Sequence, residues 1–291
     1  MLGIVVIDKP QGMTSHDVVN TVRRQLGMKR VGHAGTLDPM ATGALVVAVG
    51  PATRFLQYLP LEPKSYEGTI QFGVETNSQD AEGEVVAERP VPAELMQAID
   101  KVISNFLGES YQIPPMFSAI KKDGQPLYAL ARKGVEVERQ PRRVYVHEIT
   151  IREPNGEFVD FEVKCSGGTY VRTLAHDLGN LIGCGAHLTR LRRTSVGKFH
   201  IERAVPLSEL SSGQLIPLPS ALDPMPIVRL NELDATRVSH GGPICLDEFI
   251  SGPFCGLLSP DNEFLGVARK TGDSLQPECV MPQREIDGSL R

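Results

Sequence analysis

Gly32-His33-Ala34-Gly35-Thr36-Leu37-Asp38-Pro39-Met40-Ala41-Thr42-Gly43 runs straight into Ala44-Leu45-Val46-Val47-Ala48-Val49. The second half is an unbroken apolar run of strand length, which predicts a strand buried on both faces. The first half has little apolar periodicity, glycines at 32, 35 and 43, and a proline at 39. Pro39 disfavours helix at Asp38, so the carboxylate sits on a stiff loop that opens onto a buried strand. Catalytic groups concentrate on loops carried by rigid elements. An Asp-Pro pair is also an ordinary turn in which the carboxylate bonds its own backbone, and these residues alone leave both readings open. No Gly-Lys-Ser/Thr follows, so the loop is not a phosphate cradle.

Outward from that loop the pattern mixes strands and helices without repeats. Residues 3–7 predict a buried strand, and Ser15 is expected to cap a helix with Val18, Val19, Val22 and Leu26 on its apolar face. Pro51 can open a short helix through Tyr58, and residues 66–72 alternate like a strand. Residues 92–106 predict an amphipathic helix with Leu95, Ile99, Val102, Ile103 and Phe106 on one face. Asp123-Gly124 signals a turn, and residues 127–132 a short helix. Residues 144–151 and 158–165 read as a hairpin joined at Pro154-Asn155-Gly156, and Thr169 is expected to cap a helix to about Ile182. This is not the regular alternation of a doubly wound sheet, so the expected class is α+β with mixed or antiparallel strands. Pro217, Pro219, Pro224 and Pro226 mark a boundary between a unit at 1–224 and a small β-rich unit at 225–291. The second unit carries strand signals at 244–246, 254–258, 264–268 and 279–281, with Asp261-Asn262 turning one hairpin.

The 291 residues suit two domains and can bury a sizeable core. With 41% hydrophobic and 22% charged residues, wholesale disorder is excluded. No apolar stretch approaches the ~20 residues of a membrane span. The opening Met1-Leu2-Gly3-Ile4-Val5-Val6-Ile7-Asp8-Lys9-Pro10 lacks a basic leader, so a cytoplasmic protein is expected. Five cysteines without a C-x-x-C pair predict reduced, mostly buried thiols and no zinc ribbon. The net charge of −5 conceals a separation: residues 74–100 carry −6, whereas 121–143 and 189–203 carry +4 each. Basic stretches on an acidic chain can be the footprint of a polyanion, or merely a solvated face. The two stretches are expected beside the Asp38 loop, with the acidic run turned away from it.

Residues 32–45 resemble the signature of the TruB-type tRNA pseudouridine synthases, in which the aspartate of a G-T-L-D-P loop is the nucleophile. The resemblance extends to Gly3-Ile4-Val5-Val6-Ile7-Asp8-Lys9-Pro10 with Gly12-Met13-Thr14-Ser15, and to Lys64-Ser65-Tyr66-Glu67. It continues through Cys165-Ser166-Gly167-Gly168-Thr169-Tyr170-Val171-Arg172-Thr173 and residues 188–196. Five ordered motifs over nearly 200 residues are highly specific. The C-terminal unit resembles, more weakly, the small RNA-binding PUA domain.

The resemblance implies an isomerase that converts a uridine of tRNA, at position 55 in the T-arm, to pseudouridine. It implies the T-stem-loop as partner, and no membrane or obligate protein partner. The reaction breaks an N-glycosidic bond, rotates the base and rejoins it through carbon, so no cofactor and no metal is required. Asp38 is then the catalytic carboxylate, acting on base or sugar or steadying charge on the sugar, and Arg172 keeps it ionised and oriented. The target base must be flipped out of the folded RNA. Tyr66 would stack on it and could move a proton at C5, Tyr170 would contact its edge, and Leu191 would wall the pocket. His33 would help hold the flipped RNA, and Lys9 would support the backbone of the site. A different class of function, an RNA-binding folding helper for which turnover is secondary, shares every feature except the need for Asp38. A guide-RNA-dependent relative is disfavoured by the short chain end at Asp287-Gly288-Ser289-Leu290-Arg291.

Overall fold

A computed structural model describes residues 1–122, 124–245 and 250–282. The chain opens with β1 (Gly3–Lys9), α1 (Ser15–Leu26), β2 (Val31–Ala34) and β3 (Thr42–Val49). β3 is the apolar run. Its alternate residues serve two cores: Ala44, Val46 and Ala48 face one, while Leu45, Val47 and Val49 face the other, beneath Val18, Val19 and Val22 of α1. The helix cap is Thr14, one residue earlier than expected. Thr14 and Asp17 form a capping box, which leaves Ser15 buried and free for another task. β2 was not expected; at four residues it is too short to show a period, and it forms because β3 offers it an edge.

A 3-10 segment, Gly50–Tyr58, follows, in place of the expected short helix. β4 (Lys64–Phe72) leads to a small hairpin of β5 (Val74–Thr76) and β6 (Val85–Glu88). α2 (Leu95–Val102) and a short 3-10 turn realise the amphipathic stretch, with Leu95 and Ile99 buried. β7 (Gly108–Gln112) precedes the two-residue strands β8 (Lys121–Lys122) and β9 (Gln125–Pro126) and the helix α3 (Leu127–Ala131). Asp123 of the expected turn lies outside the described residues. β10 (Arg142–Ile151) and β11 (Phe158–Cys165) form the expected hairpin. α4 (Val171–Ile182) has Tyr170 at its N-cap with no side-chain cap, so Thr169 does not play that part. β12 (Ala186–Val196), β13 (Phe199–His200) and β14 (Val205–Pro206) complete a ten-stranded mixed sheet ordered β14-β1-β3-β12-β4-β11-β10-β7. The expected α+β class is what is seen.

One contact in this sheet places the site. β2 pairs with the end of β3 at Ala34–Val46, and β12 pairs in parallel with its start at Arg193–Gly43. Both use the same edge of β3, and residues 35–41 leave the sheet where one stops and the other begins. Gly43 is obligatory there, since a Cβ would collide with the Arg193 backbone and its φ is +102°.

Beyond the helix α5 (Leu218–Leu222), a separate five-stranded sheet holds β15 (Ile227–Arg229), β16 (Ile244–Cys245), β17 (Phe254–Leu258), β18 (Phe264–Thr271) and β19 (Ser274–Val280), with α6 (Glu232–Ser239) beside it. Asn262, at φ +65°, turns the hairpin between β17 and β18 as expected. Leu246, expected in a strand, and residues 287–291 lie outside the described residues. Phe264 meets Phe55 of the 3-10 segment edge to face at 5.3 Å, and Phe254 meets Tyr58 likewise. All five cysteines are free thiols, and Cys245 is the exposed one. No helix among the described residues is long and apolar enough to cross a membrane.

Candidate active site

The loop at 35–41 is held by its backbone from three sides. From α1, the Ser15 hydroxyl accepts from the Leu37 N–H at 2.9 Å and donates to the Leu37 carbonyl at 3.1 Å. From β1, the Lys9 ammonium donates to the carbonyls of Pro10, Met13 and Pro39 at 2.9, 2.6 and 3.3 Å, and Gly12 N–H also reaches the Pro39 carbonyl. From β12, the Arg193 guanidinium donates to the carbonyls of Ala44, Gly35 and Thr36 at 2.8, 3.0 and 3.4 Å. Lys9 is wholly buried. Burial outweighs the attraction of Asp38 and brings its pKa down to about 8.

Asp38 stands at the tip of this loop with its side chain about one-third exposed (35%). Its Oδ2 lies 3.1 Å from Arg172 Nε. The N–H is not aligned on that oxygen, so the contact is an ion pair rather than a hydrogen bond. Arg172 is buried at the start of α4 and serves more than Asp38: Nη1 binds Asp80 Oδ2 at 2.9 Å and the Ser78 carbonyl at 3.1 Å, and Nη2 binds the Phe117 carbonyl at 2.8 Å. Asp80 is buried and accepts in turn from the Ser78 hydroxyl at 2.6 Å and the Glu82 N–H at 3.1 Å. One guanidinium thus sits between two carboxylates. The expectation that Arg172 keeps Asp38 readily ionised is only half met. Arg172 pulls the pKa of Asp38 down, but burial pushes it up more strongly and the Asp80 charge adds to the rise.

Tyr66, on β4 opposite Arg193 of β12, is buried against Leu37, Met40 and Leu191. Burial raises the pKa of its hydroxyl, and hydrogen bonding and charge from Arg193 oppose the rise. Leu191 is buried in the same apolar cluster. Tyr170 is half-buried next to Arg172, its backbone clasped by the Gln112 amide through two hydrogen bonds of 3.0 and 3.2 Å. Asp38, Arg172, Tyr66, Tyr170, Leu191 and Lys9 thus come together from the 35–41 loop and from β1, β4, the start of α4 and β12, elements spread along most of the first 200 residues. His33 is on β2, where its electrostatic neighbours are Arg193 and His16. Burial, with help from both charges, lowers its pKa, so it is neutral near pH 7. Among the described residues, no three His, Cys, Asp or Glu side chains are grouped as metal ligands. Cavities of about 640 Å³ beside Arg89 and about 650 Å³ beside Lys198 have neither Asp38 nor Tyr66 in their walls.

Two expectations about charge are corrected. The acidic run at 74–100 is not turned away as a whole, because Asp80 and Glu82 lie within the field of Asp38. The basic stretch at 189–203 is largely spent inside the protein: Arg193 on loop carbonyls, Arg192 on Asp8 at 2.8 Å, Arg190 on Glu67 and Asp160, Lys198 on Asp223. Asp80, Ser15 and Gln112 escaped the sequence reading. Asp80 looked like one more charge in an acidic run, and only its position in a polar turn without apolar periodicity set it apart.

Comparison with known proteins agrees with this geometry. Residues 23–171 match the TruB family pseudouridylate synthase N-terminal domain, and residues 172–225 the tRNA pseudouridylate synthase B C-terminal domain. The tRNA pseudouridine synthase B of Thermobifida fusca (strain YX) is 47% identical over 96% of this chain and 98% of its own. That of Opitutus terrae is 51% identical over 75% of this chain and 89% of its own. Among solved structures, the crystal structure of a Cbf5-Nop10-Gar1 complex has a chain that superposes with a TM-score of 0.71 at 28% identity, covering 98% of this chain and 86% of that one. The archaeal box H/ACA sRNP Nop10-Cbf5 complex gives 0.71 at 26% identity, over 99% and 89%.

Proposed function

This chain belongs to the TruB family and isomerises uridine in tRNA to pseudouridine, and from that premise we propose that Asp38 is its nucleophile and Arg172, Tyr66, Tyr170 and Leu191 its immediate partners. The observation that supports the assignment is the ion pair of Asp38 with a buried arginine, at the rim of an apolar wall that contains Tyr66. The reaction cleaves the bond from the sugar C1′ to N1 of the base and forms one from C1′ to C5. N1 gains a proton and C5 loses one, so the product is an isomer. Asp38 acts only as the anion, whichever centre it attacks. Tyr66 offers a ring face to the flipped base and a hydroxyl to move the C5 proton. Leu191, Leu37 and Met40 keep water from the detached base. Lys9 and Arg193 touch no substrate in this reading; they fix the loop.

The finer reading is uridine 55 in the T-stem-loop as target, His33 as a support for the flipped RNA, and action without a protein partner in the cytoplasm, where tRNA is. The five-stranded PUA-like unit, with a boundary at 224–225, adds contact to the rest of the tRNA. The basic residues at 121–143 supply further contact, Arg142 standing close enough to influence Tyr170. The experiment is to incubate the purified chain with unmodified tRNA and map pseudouridine by position. Asp38→Asn is expected to form none while binding tRNA within about tenfold of wild type, roughly 1.4 kcal/mol. Tyr66→Phe should bind normally and lose most turnover. Residual turnover by Asp38→Asn, free of host enzyme, removes the nucleophile assignment. Binding without turnover by the wild type would instead favour the folding helper.

A further inference from the structure

Lys64 opens β4 two residues before Tyr66, so both project from the same face of the strand. Its side chain reaches the place where the two loops bearing the reacting groups approach each other. A Cβ at Gly35 would stand 3.4 Å from the Lys64 nitrogen, and one at Gly167 3.5 Å from it. Neither glycine has a side chain to cover the ammonium, and at Gly167 the neighbouring group is the Glu62 carboxylate. The Lys64 side chain has no hydrogen bond or ion pair within the described residues, and its nitrogen is not one of the sealed, unpartnered atoms. It is half-buried, open on one side and lacks an acceptor.

The charge around it is unbalanced. Arg193 Nη1 stands 3.5 Å from the same Gly35 position, and its field, after burial, disfavours a proton on Lys64. Glu62 is the carboxylate that opposes this; it is exposed and stands at the same Gly167 position, just beyond ion-pair reach of the ammonium. Two cations therefore face the Gly35 turn with no carboxylate beside them there, the one nearby anion, Glu62, standing unpaired at Gly167, and such a place gains from a compact anion. RNA brings one. A uridine held between Asp38 and Tyr66 has its own phosphodiesters at the mouth of the same cleft. The reaction also needs such a hold, because once the glycosidic bond is broken the base must turn while the ribose stays in place.

We propose that Lys64 binds a backbone phosphodiester flanking the target uridine, through an ammonium that Gly35 and Gly167 leave uncovered. The inference rests on the reading of Asp38 and Tyr66 as the reacting groups. The test uses a T-arm hairpin RNA in which each phosphodiester near the target uridine is replaced, one at a time, by a neutral methylphosphonate. Full-length wild type, Lys64→Met and Lys64→Arg are compared for binding and turnover. One flanking replacement is expected to weaken wild-type binding about 3- to 10-fold and Lys64→Met by less than about twofold, the mark of a shared contact. The slope of log affinity against log salt should fall by about 0.7 in Lys64→Met, as for one single-strand phosphate, and return in Lys64→Arg. Equal losses in wild type and Lys64→Met at every linkage, or an unchanged salt slope, overturn the proposal. Failure of the wild type to modify the unsubstituted hairpin would overturn the underlying reading instead.

Discussion

Asp38 is pulled in opposite directions by its surroundings, and its titration records the balance. Burial and the Asp80 charge raise its pKa, while Arg172, Lys9 and Arg193 lower it, and the net direction is up. In the proposed role the reacting form is the anion, so turnover should fall as pH drops through that pKa. The acid limb of kcat/KM is therefore expected above the ordinary aspartate value of about 3.9. Asp80→Asn removes a repelling charge and leaves Arg172 to Asp38 alone. Both changes favour the anion, so the acid limb should move to lower pH even though a less firmly held Arg172 slows turnover. A pH–rate profile of the variant checks this; an acid limb that stays or rises contradicts the charge balance. At this scale the sequence was informative where a motif marked the residue, as for Asp38, Tyr66 and Arg172. It was silent on Asp80, whose carboxylate matters only because a chain reversal after Gln79, at φ +66°, carries it under a guanidinium 92 residues away.

Ser15 shows what local rules read correctly and what they miss. A serine at a helix start is a good cap by local preference, yet Thr14 and Asp17 take that role between them. Ser15, turned inward, bonds both backbone groups of Leu37 from the first turn of α1. That long-range pairing has no sequence signature. Ser15→Ala leaves the Leu37 N–H and carbonyl buried without these partners, at a cost of roughly 1–3 kcal/mol. Because the loop it releases carries Asp38, the proposed nucleophile, turnover at saturating tRNA should fall while tRNA affinity is kept. Thermal melting and single-turnover rates measure the two effects. A variant that melts lower with full turnover would limit Ser15 to stability. The longer elements were legible because their periods were: β3, β4, β11 and α4 follow their apolar patterns, whereas β2 is too short to have one.

The PUA-like sheet is joined to the catalytic unit by more than a linker. Val267, Cys279 and Met281 share a buried cluster with Phe55, Val46 and Ile4, and Arg54 donates to the Val280 carbonyl at 2.8 Å. Tyr58 meets Glu278 through a hydrogen bond, and burial with that carboxylate pushes its pKa up to about 12. A chain ending at residue 225 therefore loses core as well as contact with RNA. Re-exposing the Phe55 and Tyr58 faces should cost roughly 2–4 kcal/mol, a fall of about 5–15 °C in Tm for a unit of this size. Melting the truncated and full chains side by side decides it; an unchanged Tm would show that the module only adds contact to RNA, as the resemblance to a small RNA-binding domain implies. The proline cluster marked where the chain passes between the two sheets. It could not show that the aromatic residues of the 3-10 segment reach across.

The parallel pairing of β12 with β3 also sets a timetable. Gly43 leaves the ribosome about 150 residues before Arg193, the residue that fixes its loop and pairs beside it. At 5–20 residues per second, roughly 7–30 s of synthesis separate the Asp38 loop from the strand that holds it. Contacts between such distant residues form late and slowly. A nascent chain that stops short of residue 193 thus carries the whole Gly35–Pro39 motif without the strand that fixes it, and the site can take shape only after two-thirds of the chain has been made.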